Sequence, residues 1–408
     1  MARYLTISVP FLLAAALGAA ERMEAPTPVM VREVPVEPGG NLTYLDDRLQ
    51  LHPMAMLATG YNSNPLETKI GDGDAFAAYV AGLEARYWLT RGDFFTGRAI
   101  LYGRQYQDTP AANLTGGIVD VSWRHRGAQW NTATQAGWTR GDDPQQEDGR
   151  TIKRDLTSLR SVSEYLGPRW SPRAVLLLEN VDYRETDGQY TADQRDRYRG
   201  QLSLGARVDS GSELALGALA RGSTVNYKIS DTPFQDGYGL AALAEARYTA
   251  SRVLAWATAG YEFWRFRNDF SNDPSYDDHQ VGSPIGDLGS GWKYRDNSHI
   301  TANVRYLISE STSSNAANYL LFHADLDHRL DEAWRLVADA EWSWRQDMSA
   351  AANTDPVQGQ GAVIGGGARW RWRDGVVVDG HVDARRELQD PGDDFNQVIV
   401  RLGIAGAF

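Results

Sequence analysis

The feature that most constrains the fold is a series of alternating segments that begins near residue 49 and continues to the end of the chain. Within each segment apolar and polar side chains alternate at period two, as in a β-strand with one apolar and one polar face. The predicted strands lie at approximately 50–62, 75–89, 93–107, 114–125, 128–140, 154–170, 173–185, 196–208, 212–226, 236–250, 252–267, 280–294, 297–310, 318–330, 332–346, 362–373, 376–386 and 396–408. The chain is therefore predicted to be all-β.

The connections between these strands alternate between short and long. The short ones are predicted at 90–92, 126–127, 171–172, 209–211, 250–251, 296, 331 and 374–375. The long ones are predicted near 63–74, 108–113, 141–153, 186–195, 227–235, 268–279, 311–317, 347–361 and 387–395. One end of the molecule would then carry tight hairpins and the other end longer loops, which is typical of a transmembrane barrel. We therefore predict a single antiparallel up-and-down transmembrane β-barrel of about 18 strands.

The polar composition does not argue against a membrane location. Mean hydropathy is −0.45, but in a barrel every second residue faces the lumen and lowers the average. The alternative is that these are half-buried strands of a soluble sheet. A soluble chain of 408 residues would be expected to divide into two or three domains. The regular order of short and long connections favours the barrel.

The last strand has a terminal pattern of its own. Val398, Val400, Leu402, Ile404 and Phe408 share one face. The tail resembles the closing strand of bacterial outer-membrane β-barrels, whose insertion signal reads polar–x–Gly–x–x–apolar–x–aromatic, and the matching residues are Arg401, Gly403 and Phe408. The resemblance implies the outer membrane of a Gram-negative bacterium. It also implies outer-membrane lipid, lipopolysaccharide and the barrel-assembly machinery as partners.

The N-terminal region divides into two segments before the barrel. Residues 1–20 have a basic start, an apolar stretch and a small-residue cleavage site, which together predict a signal peptide. The alternative is an N-terminal core helix. Residues 21–48 are rich in proline and lack a period, which indicates a periplasmic arm or a short plug, with the arm favoured. Residues 49–408 are predicted to form the outer-membrane β-barrel. The chain has no cysteine, which excludes a disulfide scaffold and a thiol-based metal site.

The polar faces of the predicted strands carry more basic than acidic residues, although the net charge is −12. The predicted lumen and selectivity residues are Arg86, Arg98, Arg104, Arg197, Arg199, Arg207, Arg335, Arg345, Arg369, Arg371, Arg373, Asp379 and Asp383. A lumen lined by guanidinium groups would favour anions. Alternatively, these arginines pair with inward acids on neighbouring strands and hold the wall together. Both interpretations remain open at this stage.

Chemistry of other kinds has weaker support. His323 and His328 are five residues apart in one strand, so they lie on opposite faces and cannot share a ligand. His381, between Asp379 and Asp383, is the nearest approach to a catalytic or metal constellation, and we interpret it as part of a wall ion pair. We therefore predict no catalytic residue, no metal, no cofactor and no nucleic-acid partner.

A second resemblance concerns the end of the first barrel strand. Residues 60–65, Gly-Tyr-Asn-Ser-Asn-Pro, are similar to the Tyr-Asp-x-Asn motif of porin-like barrels and of barrels associated with exopolysaccharide systems, with Asn62 in place of the commoner Asp. The resemblance implies a channel, with export components as further partners. The function expected is passage of anionic solutes or of an acidic exopolysaccharide through an Arg-rich lumen, and not enzymatic activity. The alternatives are a structural or adhesive barrel with a blocked pore, and an outer-membrane hydrolase.

Overall fold

A computed structural model describes the chain in eleven stretches of residues: 42–45, 48–67, 71–144, 151–184, 196–209, 213–228, 236–267, 280–309, 316–348, 358–390 and 394–407. The strands in these stretches are β1 (Leu42–Tyr44), β2 (Leu49–Asn62), β3 (Asp74–Trp88), β4 (Asp93–Tyr106), β5 (Leu114–Arg126), β6 (Trp130–Pro144), β7 (Thr151–Tyr165), β8 (Trp170–Tyr183), β9 (Arg197–Asp209), β10 (Leu214–Tyr227), β11 (Gly237–Thr249), β12 (Val253–Phe266), β13 (Gln280–Arg295), β14 (Ser298–Ser309), β15 (Ala317–Arg329), β16 (Trp334–Asp347), β17 (Gln358–Arg373), β18 (Val376–Asp390) and β19 (Phe395–Ala407). A 3₁₀ turn, Pro110–Ala112, precedes β5.

Strands β2 to β19 form a closed ring of eighteen antiparallel strands. Each strand pairs with the one before it in sequence, and β19 returns to pair with β2, from Ile399 opposite Asn62 to Ala407 opposite Met54. Closure removes the exposed sheet edges that could not be satisfied in lipid. The prediction of a single up-and-down barrel of about 18 strands is confirmed.

The short strand β1 lies outside this ring and belongs to the end of the predicted arm. Leu42 to Tyr44 pair with Leu51 to Leu49 of β2, beyond the point where β19 ends. Strand β1 therefore supplies hydrogen bonds to the part of β2 that β19 does not reach. The predicted signal peptide and residues 21–41 lie outside the described residues, as does Phe408 of the predicted insertion signal.

One predicted connection is wrong. Residues 171–172 were expected to form a tight turn, but they lie inside β8, and the turn falls at residues 166–169 instead. Gly167 explains the shift, because a Cβ atom there would lie 2.3 Å from the backbone oxygen of Trp170. Only glycine allows the chain to fold back this closely, and Pro168 follows it in the turn.

The outer surface of the ring is apolar, as the alternation predicts. The most exposed aliphatic side chains on it include Leu57, Leu204, Leu240, Leu288, Ile364 and Leu402. Exposed aromatic side chains lie at both ends of the strands. Those at the tight-turn end include Trp130, Trp170, Tyr248, Trp292, Trp334 and Trp372, and those at the loop end include Tyr61, Tyr198, Tyr238 and Tyr261. Such a surface fits a lipid band between two aromatic girdles.

The separation of the girdles fits a bilayer. Tyr238 and Tyr248 lie on the outer face of β11, one at each end of the strand. Ten residues of strand span about 33 Å, which becomes about 25 Å along the bilayer normal at a tilt of about 40°. This value agrees with the apolar band of outer-membrane barrels. No helix in the described part of the chain is long and apolar enough to cross a membrane.

Polar side chains on the outer surface of β6 and β7 satisfy one another. The hydroxyl groups of Thr134 and Ser161 are 2.9 Å apart, and those of Thr132 and Ser163 are 3.2 Å apart. Each pair joins directly opposed residues of the two strands. A hydroxyl group exposed to hydrocarbon is costly unless it is hydrogen-bonded, so the pairing lowers that cost.

The motif at the end of β2 holds the seam between the first and last barrel strands. The Asn62 amide is buried and donates to the Tyr106 hydroxyl at 2.8 Å, while its oxygen accepts from the backbone N–H of Asn64 at 3.0 Å. The amide of Asn64 donates to the carbonyl of Asn396, and the amide of Gln397 donates to the carbonyl of Asn64 at 2.7 Å. These hydrogen bonds connect the end of β2 to the start of β19, so the residues of the motif stabilise the closure of the barrel.

Candidate functional site

The candidate site is the inner wall of the barrel. Strand pairing places the predicted lumen residues, including Arg98, Arg207, Arg335 and Arg369, on the face opposite the exposed aliphatic side chains. Many carboxylates share this face, and several of them were not among the predicted lumen residues. Those missed include Asp74, Glu164, Glu179, Glu262, Asp287, Asp325, Asp327 and Asp347.

Most of the predicted arginines are paired with carboxylates. Ion pairs join Arg98 to Asp120 at 2.7 Å, Arg199 to Glu179 at 3.8 Å, Arg335 to Asp327 at 3.3 Å, Arg345 to Asp347 at 3.1 Å and Arg86 to Glu84 at 3.4 Å. Arg98 and Asp120 are direct cross-strand neighbours, as the wall-pairing interpretation expects. Wall pairing therefore accounts for much of the arginine content.

Asp379 is the most buried carboxylate in this network, with 1% of its surface exposed. One carboxylate oxygen accepts from Arg369 at 3.1 Å and the other accepts from Arg401 at 2.8 Å. Arg369 lies on β17 and Arg401 on β19, so Asp379 on β18 ties three consecutive strands together. Arg401 of the predicted insertion signal thus has a structural contact, and Gly403, opposite Ala58, lies beside it on the same face.

Other ion pairs connect strands that are not neighbours. The guanidinium of Arg173 on β8 donates to Glu245 on β11 at 2.8 Å. Arg207 on β9 pairs with Glu164 on β7. Arg221 on β10 donates to Glu262 on β12 at 2.8 Å. Long arginine side chains therefore link non-adjacent strands on the inner surface of the region from β7 to β12.

Several of the arginines contact aromatic rings. The guanidinium carbons of Arg124 and Arg86 lie 5.8 and 5.9 Å from the centre of the Phe94 ring, and Arg104 lies 4.8 Å from that of Phe76. Among the described residues, no carboxylate lies within 4 Å of Arg124 or Arg104. Arg373 does not continue the predicted inner row: a bulge after Arg371 places it opposite Val376, and its guanidinium lies 5.6 Å from the ring of Trp372 on the outer girdle. Arg371 is on the inner face, opposite Val377, and Arg197 lies 5.4 Å from the Tyr183 ring.

Histidines and carboxylates gather on β15 to β18. The imidazole of His323 lies 3.2 Å from Glu341, and that of His381 lies 2.9 Å from Asp383 and 3.7 Å from Asp339. His328 lies on the opposite face from His323, where it contacts the Tyr294 hydroxyl at 2.7 Å. The prediction that these two histidines face apart is confirmed, whereas the contact between Asp339 and His381 was not predicted.

Two apolar clusters lie on the inner wall, mainly toward the loop side, and the sequence analysis did not predict them. One cluster lies on β2 to β5 and includes Met56, Phe76, Val80, Ile100, Tyr102 and Ile118. A second lies on β10 to β13 and includes Leu219, Val225, Leu243, Phe266, Val281 and Ile285. These residues are less than 10% exposed. Side chains facing open water could not be this buried, so the side chains of these two clusters are covered.

Comparison with solved structures agrees with this architecture. OccK1 (OpdK), an outer membrane protein of Pseudomonas aeruginosa, is 10% identical and superposes with a TM-score of 0.50 over 90% of this chain and 100% of its own. The chain has the fold of a bacterial outer-membrane β-barrel. OccK2 (OpdF) from the same organism is 10% identical, with a TM-score of 0.48 over 90% of this chain and 99% of its own. The siderophore receptor PirA from that organism is 12% identical, with a TM-score of 0.42 over 88% and 80%.

Comparison of the sequence with known proteins does not assign the chain to a family. No protein-family model matches the chain, and no curated protein matches it. The location in the outer membrane of a Gram-negative bacterium rests on the closed ring, the lipid-facing band and the two girdles.

Proposed function

We propose that the protein is an outer-membrane channel that favours anionic solutes. The observation that carries the proposal is the group formed by Arg86, Arg124 and Phe94 on the inner face near the tight turns. Glu84, at 3.4 Å from Arg86, is the acidic group paired with it in the described part of the wall. The group therefore carries a local excess of positive charge.

The chemistry of this group suits carboxylate-bearing solutes. A guanidinium that rests on an aromatic face keeps its N–H donors free at the edge. Those donors can bind a carboxylate in a bidentate manner, including that of a uronic acid unit. A low-dielectric wall also focuses the field of the arginines into the lumen and raises the local concentration of anions.

Reconstitution in a planar bilayer tests the proposal. We expect single-channel currents whose reversal potential, in a tenfold KCl gradient, has the sign of a channel that is selective for Cl⁻. The double variant Arg86→Gln/Arg124→Gln should move that potential toward zero by on the order of 10 mV, a fraction of the limit of about 59 mV for an ideally selective pore. Arg140→Gln is the matched control, because Arg140 lies on the outer face and pairs with Asp155 at 2.6 Å.

The result of this experiment separates the two parts of the proposal. A cation-selective wild-type channel would contradict anion preference, and an unchanged potential in the double variant would contradict the assignment of that preference to Arg86 and Arg124. Arg369→Gln is less informative, because Arg369 is already paired with Asp379.

A barrel closed on the loop side is the second candidate function. The burial of Phe76, Tyr102 and Val225 on the inner wall favours it, because a wide aqueous lumen would expose them. Such a protein would have a structural or adhesive role. A folded barrel that inserts into the bilayer and passes no current would support this candidate over the channel.

A further inference from the structure

We propose that Asp339, His381 and Asp383 form a binding site for one divalent transition-metal ion, such as Zn²⁺, on the inner wall of the barrel. The three residues come from β16 and β18, which flank β17. The proposal concerns binding only and holds whether or not the barrel conducts.

The geometry of the three side chains fits one shared ion. One ligand atom from each residue lies within 4.8 Å of the others. Nε2 of His381 is 2.9 Å from the Asp383 carboxylate and 3.7 Å from the Asp339 carboxylate. Ligands at about 2.0–2.1 Å from a tetrahedral Zn²⁺ are about 3.3 Å apart, so both separations are close to those of a metal site.

Two glycines on β17 make the convergence possible. Gly365 is the direct strand partner of both Asp339 and Asp383. A Cβ atom on Gly365 would lie 2.5 Å from the Asp383 carboxylate and 2.6 Å from the Asp339 carboxylate. A Cβ atom on Gly367 would lie 2.6 Å from Nδ1 of His381. The absence of side chains at these two positions allows the carboxylates and the imidazole to meet above the strand.

The negative charges of Asp339 and Asp383 exceed what the one imidazole between them can offset. No arginine or lysine pairs with Asp339 or Asp383 in the described stretches, whereas nearby Asp379 has two arginine partners. Asp325 stands directly opposite Asp339 on β15, but it has its own cationic neighbour in His323, at 3.9 Å. His381 could offset only one of the two negative charges of Asp339 and Asp383, while a divalent ion would offset both.

His381 provides the observation that distinguishes this cluster from a plain acidic patch. It adds a nitrogen donor to the two carboxylates, and its side chain is only 7% exposed. Nε2 is the ring nitrogen that faces both carboxylates. One nitrogen and two carboxylate ligands suit Zn²⁺ better than Mg²⁺ or Ca²⁺, which prefer ligand sets made of oxygen. Three protein ligands would leave one tetrahedral position for water.

Calorimetric titration of the folded full-length barrel with Zn²⁺ tests the proposal. The protein should carry no polyhistidine tag, and because it lacks cysteine no thiol competes for the metal. We expect one Zn²⁺ per chain, bound in the presence of excess Mg²⁺. X-ray absorption of the loaded protein should show one imidazole in the first coordination shell. Asp383→Asn and His381→Gln should each weaken binding by about tenfold or more.

A pair of glycine variants provides the control. Gly365→Ala places a methyl group against both carboxylates and should abolish binding. Gly366→Ala places one on the outer face, where the nearest atom is 3.7 Å away, and should leave binding unchanged. Zn²⁺ binding that is absent in the wild-type barrel, or that survives in Gly365→Ala and Asp383→Asn, would overturn the proposal. The mobility shift of the folded barrel in unheated gels confirms that each variant has folded.

Discussion

Replacing Asp379 with asparagine is expected to lower the free energy of unfolding of the barrel by about 3 kcal/mol or more, because it removes the buried carboxylate charge that pairs with Arg401 and Arg369. Arg401 is 5% exposed and Asp379 is 1% exposed, so water cannot replace the lost partner. Asparagine keeps the shape of aspartate, which limits the contribution of altered packing. Urea unfolding of the barrel in lipid vesicles, followed by tryptophan fluorescence, measures the change.

The control for Asp379 is an exposed ion pair. Asp296 lies 3.8 Å from Lys293 in a tight turn, and its side chain is 97% exposed. Asp296→Asn should leave the unfolding midpoint unchanged, because exposed pairs contribute little. Equal effects of the two substitutions would show that Asp379 does not act through burial and pairing, and would contradict its assignment as the link between β17, β18 and β19.

Replacing Ile364 with arginine should destabilise the barrel by about 2–4 kcal/mol, the cost of a basic side chain on the lipid face near the middle of the bilayer. Ile364 is 66% exposed on the outer face of β17, between Ala340 and Ala384. These small neighbours cannot cover a guanidinium. The same unfolding experiment in vesicles measures the effect.

The adjacent residue provides a matched control. Val363 is also β-branched but faces the lumen, between Glu341 and Arg385. An arginine at this position can reach Glu341 and water, so Val363→Arg should cost much less than Ile364→Arg. A larger loss for Val363→Arg would mean that the two faces of β17 have been assigned the wrong way round.

The strands and their faces could be predicted from the sequence because lipid imposes a strict period of two. In β19, Val398, Val400 and Leu402 do lie outward and Arg401 inward, as predicted. β8 alternates poorly because Val175 and Leu177 are buried inward while Leu178 lies outward. Because apolar side chains occupy both faces of this strand, the alternation of apolar and polar residues is lost. A prediction based on alternation could not detect such a strand, since it assumes that the inner face is polar.

The contacts within the site were only partly predictable. The inward arginines were expected, on one interpretation, to pair with acids on neighbouring strands, and the bond between Arg369 and Asp379 agrees with that interpretation. The pairing of Arg173 with Glu245 depends on the curvature that brings β8 near β11. The approach of Asp339 to His381 depends on the space above Gly365. Neither the curvature nor this space has a signal in the local alternation of residues.

The most direct test of the barrel is to measure which residues of β9 face lipid. Because the chain has no cysteine, single cysteines can be introduced from residue 198 to residue 208 and labelled with a nitroxide without other changes. In vesicles, the labels at even positions, where Tyr198, Leu202 and Leu204 are exposed, should be accessible to oxygen dissolved in lipid. The labels at odd positions should be protected from it. Uniform access to a water-soluble relaxation agent, with no period of two, would contradict the transmembrane barrel.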